Sequence, residues 1–341
     1  MRFIQVGVGG FGKHWVNILK SEPRVQVVGL VDINPKALEE ACIAGGYSDA
    51  ICFSTLKDAL RKVKADVVLS CTPPRLHRQD VVTALRKGLH VISEKPMADS
   101  LADCKAMLKV ARSTGKVYAV SQNYRYGGAM WTLAKVVKES GLGAIGQVKM
   151  DFYLGMDFGG GFRHDMEYPL VIDMSIHHFD LLRFITGLDA VKVSGSAWNP
   201  PWSNYKGDCS STALFELSNG ARVLYNASWC CKGQFDDWNC SWLIECEKGS
   251  ITYRNGEITV YRVPTLYKVE STEKIPVQPP ERQGQAFVLD DFITAIEARR
   301  RPRTDAQDNI RSVAMVFATV EAMKSGKTKP VLDASLQKLL A

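Results

Sequence analysis

From residue 1 to about 121, short apolar runs alternate with segments whose apolar residues recur at helical spacing. Phe3, Ile4, Val6 and Val8 lead into Gly7-Val8-Gly9-Gly10-Phe11-Gly12. Beyond the glycines Phe11, Trp15, Ile18 and Leu19 fall at i, i+4, i+7 and i+8, one face of a helix. Residues 25–31 read as a second buried strand. Helices are expected over 35–44 and 56–63, the latter with Ser54 or Thr55 as its N-cap. Residues 66–71 form a near-continuous apolar run, as in strands covered on both faces of a parallel sheet. A helix over 75–87 is stopped by Gly88, a strand follows over 90–93, a capped helix runs from 100 to about 113, and 117–121 is a last strand. With the short segment 50–53 this makes about six strands interleaved with helices, which predicts an α/β Rossmann domain built on a doubly wound parallel sheet.

After Gln122 the pattern changes. A helix over about 129–139 ends at Gly141, and alternating strands are expected over 147–154, 191–197, 210–217, 222–229, 241–247, 250–253 and 257–262. Ser218-Asn219-Gly220 and Arg254-Asn255-Gly256 read as turns between them, the latter a strong hairpin signal. One long helix, 170–186, interrupts the strands and stops at Gly187, and two more follow at about 285–299 and 307–325. This predicts an α+β domain with a large, mostly antiparallel open sheet, and a division of the chain into residues 1–122 and 123–341. Trp229, Trp238 and Trp242 are candidates for an exposed face of that sheet. A sheet face without helix cover invites self-association, so a homodimer or homotetramer through it is expected. Trp198, Trp202 and Tyr205 surround a Pro-Pro loop, and aromatic rings of this kind pack on the C–H faces of sugars.

Composition narrows the classes. A chain of 341 residues exceeds what one core usually serves, in agreement with two domains. The net charge of +7 is modest, and the only dense basic cluster, Arg299 to Arg301 with Arg303, closes an apparent helix. No nucleic-acid partner is expected from so dispersed a charge, and no membrane partner, because no apolar run reaches a membrane span. The nine cysteines are scattered, odd in number and without a C-x-x-C, which predicts free thiols and no metal site. The first strand begins almost at Met1, leaving no room for a leader peptide, and the expected location is the cytoplasm.

The glycine turn carries the first chemistry. In a strand–turn–helix context, Gly7 permits the sharp turn, Gly9 and Gly10 let the backbone approach a pyrophosphate, and Gly12 allows close helix–strand packing. Phe11 stands at the entrance of the helix whose N-terminus would face the phosphates. Asp32, about 20 residues past Gly12 at the end of the second strand, can accept hydrogen bonds from ribose hydroxyls and repel a 2′-phosphate. NAD is therefore the expected cofactor and NADP the lesser one, with Lys36 close enough to soften the choice. Ligands of doubly wound sheets lie beyond the strand ends, here Thr72-Pro73-Pro74, Glu94-Lys95-Pro96 and Gln122-Asn123. A lysine in the second of these can hydrogen-bond a substrate hydroxyl and stabilise a developing oxyanion. On the helix expected over 170–186, Asp173, His177 and Asp180 share one stripe. A histidine there is suited to proton transfer near neutral pH, while His178 points with the apolar residues and reads as packing. Tyr124, Arg125, Arg163 and His164 are further candidate substrate contacts.

Taken together, the glycine turn, T-P-P-x-x-x-H (Thr72, Pro73, Pro74, His77), E-K-P and D-x-x-x-H-x-x-D resemble the Gfo/Idh/MocA oxidoreductases in order and spacing. That family is named for glucose-fructose oxidoreductase, inositol dehydrogenase and a rhizopine-catabolism protein. The resemblance spans essentially the whole chain. It implies a catalytic set of Lys95, Asp173 and His177, and cofactor contacts from Thr72, Pro73, His77, Glu94 and Gln122. In inositol-dehydrogenase-like members the histidine removes the hydroxyl proton as hydride passes to the nicotinamide. The lysine and aspartate bind and polarise the reacting carbinol. The expected activity is thus NAD-dependent oxidation of a secondary alcohol or hemiacetal in a sugar, sugar derivative or cyclitol. The alternative is NAD-dependent glycoside cleavage through transient oxidation and elimination. Two departures point to a rebuilt substrate entrance: Ser175 replaces a glycine common in the family, and Glu167-Tyr168-Pro169 stands where a glycine-rich run is usual.

Overall fold

The structure is a computed structural model that describes every residue except Gln234. The chain divides into two compact units, residues 1–122 with 285–310, and residues 123–284 with 311–341.

In the first unit β1 (Arg2–Val6), β2 (Gln26–Val31), β3 (Cys52–Phe53), β4 (Val67–Ser70), β5 (His90–Ser93) and β6 (Tyr118–Val120) form one sheet in the order β3-β2-β1-β4-β5-β6. Every pairing is parallel. Helices Gly12–Ser21, Pro35–Gly45, Leu56–Lys62, Pro74–Arg86 and Leu101–Thr114 connect the strands. Val67, Val68 and Leu69 are completely buried, the reason their segment reads as a continuous apolar run. The helix starts follow local chemistry. Asn34, Thr55 and Ser100 each accept a backbone N–H of the first turn through a side-chain oxygen. Strand order reverses between β1 and β4, where sheets of this type hold their ligands.

The first stretch of the first unit ends at residue 122, and helix Gly284–Glu297 packs with that unit's sheet, not with the second sheet. Its Leu289, Phe292 and Ile293, one helical stripe, share a core with Phe3, Trp15, Leu19, Val67, Leu69 and Ile92. The segment after it is stitched to the same sheet's edge, with Val120 N donating to Thr304 O at 3.0 Å.

Among the described residues the second unit carries nine strands: β7 (Ile145–Tyr153), β8 (Ala190–Trp198), β9 (Ser210–Leu217), β10 (Arg222–Ser228), β11 (Ser241–Cys246), β12 (Gly249–Arg254), β13 (Glu257–Arg262), β14 (Ser271–Ile275) and β15 (Lys329–Pro330). Their order is β14-β13-β12-β11-β7-β10-β9-β8-β15, antiparallel throughout except for the parallel pair β7 and β10. Asn255 and Gly256 both take positive φ (46° and 89°) in the hairpin joining β12 to β13, as a two-residue turn of that hand requires. Strand β14 was not expected, and it is an exposed edge strand without apolar alternation. The helix expected over 170–186 is two elements, a π-helical turn Leu170–Met174 and an α-helix Ser175–Thr186. That α-helix packs on one face of the sheet, where the Phe179 ring lies 4.9 Å from Phe215 and 5.1 Å from Tyr225. Of the three tryptophans expected there, Trp238 is exposed, in the loop before β11, and the other two differ from expectation. Trp229 and Trp242 are buried, whereas Trp198, Leu214 and Leu224 stand on the exposed face. Strand register decides this, since Trp242 pairs with the inward Met150.

If Gly284–Glu297 is part of the first unit's core, Phe292→Ala should lower unfolding free energy by about 3–5 kcal/mol, measured by urea denaturation. A loss below about 1 kcal/mol would show the helix to be peripheral.

Candidate active site

The first unit supplies a nucleotide cradle. Gly7 has φ +82°, and a Cβ there would lie 2.8 Å from the Cys71 carbonyl. A Cβ at Gly12 would lie 2.2 Å from the Gly7 oxygen, so both glycines are imposed by the protein itself. Gln5 locks the turn, its amide donating to Gly12 O at 2.8 Å and Gly7 O at 3.1 Å. Gly9 is different. A Cβ there would meet only Ala37 Cβ at 3.6 Å and Asp32 Oδ2 at 3.8 Å, ordinary contacts. Its missing side chain leaves room above the turn, the clearance a pyrophosphate needs. Gly10 likewise has no neighbour within 4 Å, and its φ of +46° suits glycine. Phe11 is exposed at the head of helix Gly12–Ser21, whose first turn holds no acidic residue. Asp32 braces the turn, its Oδ2 accepting from Val8 N at 2.9 Å and Gly9 N at 3.2 Å.

The other strand ends form a supported rim. Thr72 donates to Asp80 Oδ2 at 2.8 Å, beside Ser70 at 2.9 Å, and burial raises the Asp80 pKa. Pro73 heads the helix Pro74–Arg86. His77 is fully buried and ties two loops together, with Nε2 2.8 Å from Thr72 O and Nδ1 3.1 Å from Pro96 O. Burial lowers its pKa and favours the neutral ring. Glu94 accepts from Trp15 Nε1 at 2.7 Å and from Lys95 N at 3.1 Å, and burial raises its pKa. The Lys95–Pro96 peptide is cis. Gln122 is only 1% exposed, and its carboxamide nitrogen and oxygen have no partner among the described residues. Two orphaned amide atoms at a strand end are costly unless a ligand engages them. Open space at Gly9 and the unsatisfied Gln122 amide both fit a bound dinucleotide.

The second unit supplies a carboxylate and an imidazole. Asp173 lies in the π-helical turn, where the Ser175 N–H reaches back to Leu170 O. Such turns insert a residue into the helical ladder, so Asp173 and His177 do not keep the simple one-turn spacing the sequence suggests. Arg163 Nε donates to Asp173 at 2.6 Å, with the guanidinium 4.7 Å from the Phe158 ring centre and 4.6 Å from that of Phe162. His177 is 4% exposed and stacks on Tyr124 at 3.9 Å with 17° between the rings. Burial raises the Tyr124 pKa, with Asp173 among the charges adding to it, so the phenol stays protonated. His164 faces Asp157 at 3.2 Å and packs on Tyr205.

Three residues of this unit have other work. Arg125, expected as a substrate contact, is 5% exposed and bidentate with Asp180 at 2.5 and 2.6 Å, while Ser312 donates to the same carboxylate at 2.7 Å. His178 is buried between Tyr225 Oη at 2.8 Å and Trp238 O at 3.1 Å. Ser175, the departure from the family pattern, sits under the helix 2.8 Å from the same Tyr225 hydroxyl, not at an entrance.

Sequence reasoning missed a cavity of about 410 Å³ in this unit, lined by Asp157, Trp202, Tyr205, Trp229, Cys230 and Lys232 among others. Of these, Trp202 and Tyr205 read in the sequence as rings suited to sugar faces, while the 229–233 loop gives no signal of its own. Among the described residues no cluster of His, Cys, Asp and Glu can hold a metal, and no helix is long and apolar enough to cross a membrane.

A doubly wound sheet with this glycine turn and a carboxylate at the end of β2, followed by an open α+β sheet, defines a two-domain dinucleotide-binding oxidoreductase. Residues 1–122 match the oxidoreductase family's NAD-binding Rossmann fold, and residues 139–331 match its C-terminal alpha/beta domain. The chain belongs to the Gfo/Idh/MocA family, and is an NAD-binding oxidoreductase. It is 29% identical to the uncharacterized protein y4oX of Sinorhizobium fredii, over 97% of this chain and 96% of that one. It is 24% identical to a D-apiose dehydrogenase of Paraburkholderia graminis, over 95% and 88% of the two chains. The fold is shared with an Agrobacterium radiobacter oxidoreductase solved with NAD+, L-tartaric acid and magnesium, at a TM-score of 0.89 and 20% identity, covering 97% and 98% of the chains.

Two stability predictions follow from the buried polar groups. Asp180→Asn leaves the Arg125 charge poorly compensated inside the unit and should lower unfolding free energy by about 3–5 kcal/mol; a loss below about 1 kcal/mol would contradict the pairing. Burial lowers the His178 pKa from 6.5 to about 3. A base whose folded pKa is depressed stabilises the fold fully above its unfolded pKa and loses that contribution as pH falls. Each unit below 6.5, down to about 3, therefore costs the wild type about 1.4 kcal/mol. The stability deficit of His178→Gln should narrow between pH 7.5 and pH 5, and a deficit independent of pH would contradict burial of the neutral ring.

Proposed function

We propose that the chain is an NAD-dependent dehydrogenase oxidising a secondary alcohol or hemiacetal of a sugar, sugar derivative or cyclitol. The observation that carries this reading is the pairing of an anchored carboxylate, Asp173 held by Arg163, with a nearly buried imidazole, His177 stacked on Tyr124. The dinucleotide would be held by Gly9, Gly10, Asp32 and Gln122, with Thr72, Pro73, His77 and Glu94 shaping the strand-end rim. When bound it supplies the hydride acceptor. His177 takes the hydroxyl proton, and the Tyr124 face keeps its ring from rotating away. The Lys95 ammonium stabilises the oxygen as that proton leaves, and Asp173, fixed by Arg163, orients the carbinol. Asp32 at the ribose position favours NAD over NADP. The D-apiose dehydrogenase among the relatives supports a carbohydrate substrate.

The nine free cysteines fit a reducing compartment, and we place the protein in the cytoplasm. The exposed sheet face also supports a homodimer or homotetramer. Leu214 and Leu224 are direct cross-strand neighbours there, with Trp198 on the adjoining strand. Leu214→Lys with Leu224→Lys should shift the mass measured by light scattering toward the monomer, and an unchanged mass would place the interface elsewhere.

The functional test is a panel of aldoses, cyclitols and sugar acids with NAD, followed by NADH absorbance. At least one should release NADH, with kcat reduced about 10²–10⁴-fold in His177→Ala and comparably in Lys95→Ala. Cleavage of a glycoside without NADH release, or an undiminished His177→Ala enzyme, would overturn the reading.

A further inference from the structure

Strands β7 and β10 are parallel, and β8 runs in their direction because both it and β10 are antiparallel to β9. Three loops therefore leave the sheet at one edge, after Tyr153, Trp198 and Ser228. The 410 Å³ cavity is built from these three loops, a size within the range of small-molecule sites. The loops are fastened to one another. Met156 N donates to Trp229 O at 2.8 Å, Trp202 Nε1 to Cys230 O at 2.7 Å, and Tyr205 Oη to Met156 O at 2.8 Å. With its polar tip engaged, Trp202 is held in place although 54% of its surface is exposed, so an indole face is fixed and open.

Charge completes the site. Lys232 Nζ stands 5.9 Å above the Trp202 ring, and no carboxylate among the described residues pairs with it. The carboxylate in the lining, Asp157, faces His164 instead. A chain of side-chain contacts links the cavity wall to Asp173. Trp229 meets the Phe158 ring at 5.0 Å, Phe158 carries the Arg163 guanidinium, and Arg163 holds Asp173. A ligand with its reacting hydroxyl at Asp173 and His177 would extend along this wall toward a flat aromatic surface and an uncommitted cation.

We propose that this cavity is a specificity subsite for a sugar acid, an aldonate or uronate, with Trp202 packing on its C–H face and Lys232 pairing its carboxylate. This rests on the dehydrogenase reading and names its substrate class. The test is calorimetric titration of the NAD-loaded protein with D-gluconate, D-glucuronate and D-galacturonate against D-glucose and myo-inositol. At least one acid should bind tenfold or more tightly than either neutral compound. Lys232→Met should abolish that preference with thermal unfolding and NAD affinity unchanged, because that side chain is exposed, and Trp202→Ala, which also removes the bond to Cys230, should weaken the acid about tenfold with NAD affinity unchanged. Absence of binding by every acid, equal binding of acid and neutral sugars, or an intact preference in Lys232→Met overturns the proposal. Binding is read without turnover, so a protein that holds acids in this way yet reduces no NAD rejects the dehydrogenase reading alone. An active enzyme whose acid preference ignores Lys232 rejects the subsite alone.

Discussion

Helix Gly12–Ser21 begins where it does because residue 12 has no Cβ. Any other side chain would drive an atom to within 2.2 Å of the Gly7 carbonyl, and Gly7 in turn is pressed against the backbone at Cys71. This contact sets how closely the first helix packs on the sheet, and with it the position of the helix end that faces a ligand. Gln5 and Asp32 fix the rest of the turn through its own carbonyls and amides. The sheet is parallel throughout, so Asp32, Thr72, Glu94 and Gln122 all emerge at the same edge as the glycines. What a dinucleotide would touch is decided by strand direction as much as by residue type.

The second unit reaches a similar result by another route. Its sheet is mostly antiparallel, yet the parallel pair β7 and β10 sends two loops out at one edge, and β8 adds a third. The helix that carries His177 is held on that sheet by a satisfied buried chain, Ser175 to Tyr225 to His178 to the Trp238 carbonyl. Polar groups without water are stabilising only when paired in this way, and such pairing fixes one orientation of the helix. The π-helical turn ahead of it gives Asp173 a position that a continuous helix would not.

Much of this was legible in the sequence. Strand–turn–helix alternation, the glycine turn and the Asn255-Gly256 hairpin each depend on neighbours a few residues away, and local chemistry specifies them. The rest depends on distant partners. Leu289, Phe292 and Ile293 announce a stripe that must be buried, but not which sheet buries it. Strand β14 has almost no inward residue, so nothing in its pattern separates it from a loop. Arg125 follows a strand that points toward a ligand edge, and only the fold reveals Asp180 beside it. Trp229 and Trp202 look alike in sequence, although one is sealed against Phe158 and the other presents an open face. Lys95, Asp173 and His177 were legible as residue types at characteristic spacings, while their supports, Glu94 with Trp15, Arg163 with Phe158, and Tyr124, emerge only in three dimensions.

The account turns on Gly9, the one glycine of the turn that neither backbone conformation nor internal packing explains. Gly9→Ala adds a methyl group whose nearest protein atom lies at 3.6 Å, so the fold has no reason to object. Calorimetric titration of NAD+ into this variant, with thermal unfolding of the unliganded protein measured beside it, is the direct test. Unchanged unfolding with NAD+ affinity at least tenfold weaker, about 1.4 kcal/mol, is the predicted result. Unchanged affinity, or a loss of affinity matched by a loss of stability, would contradict it.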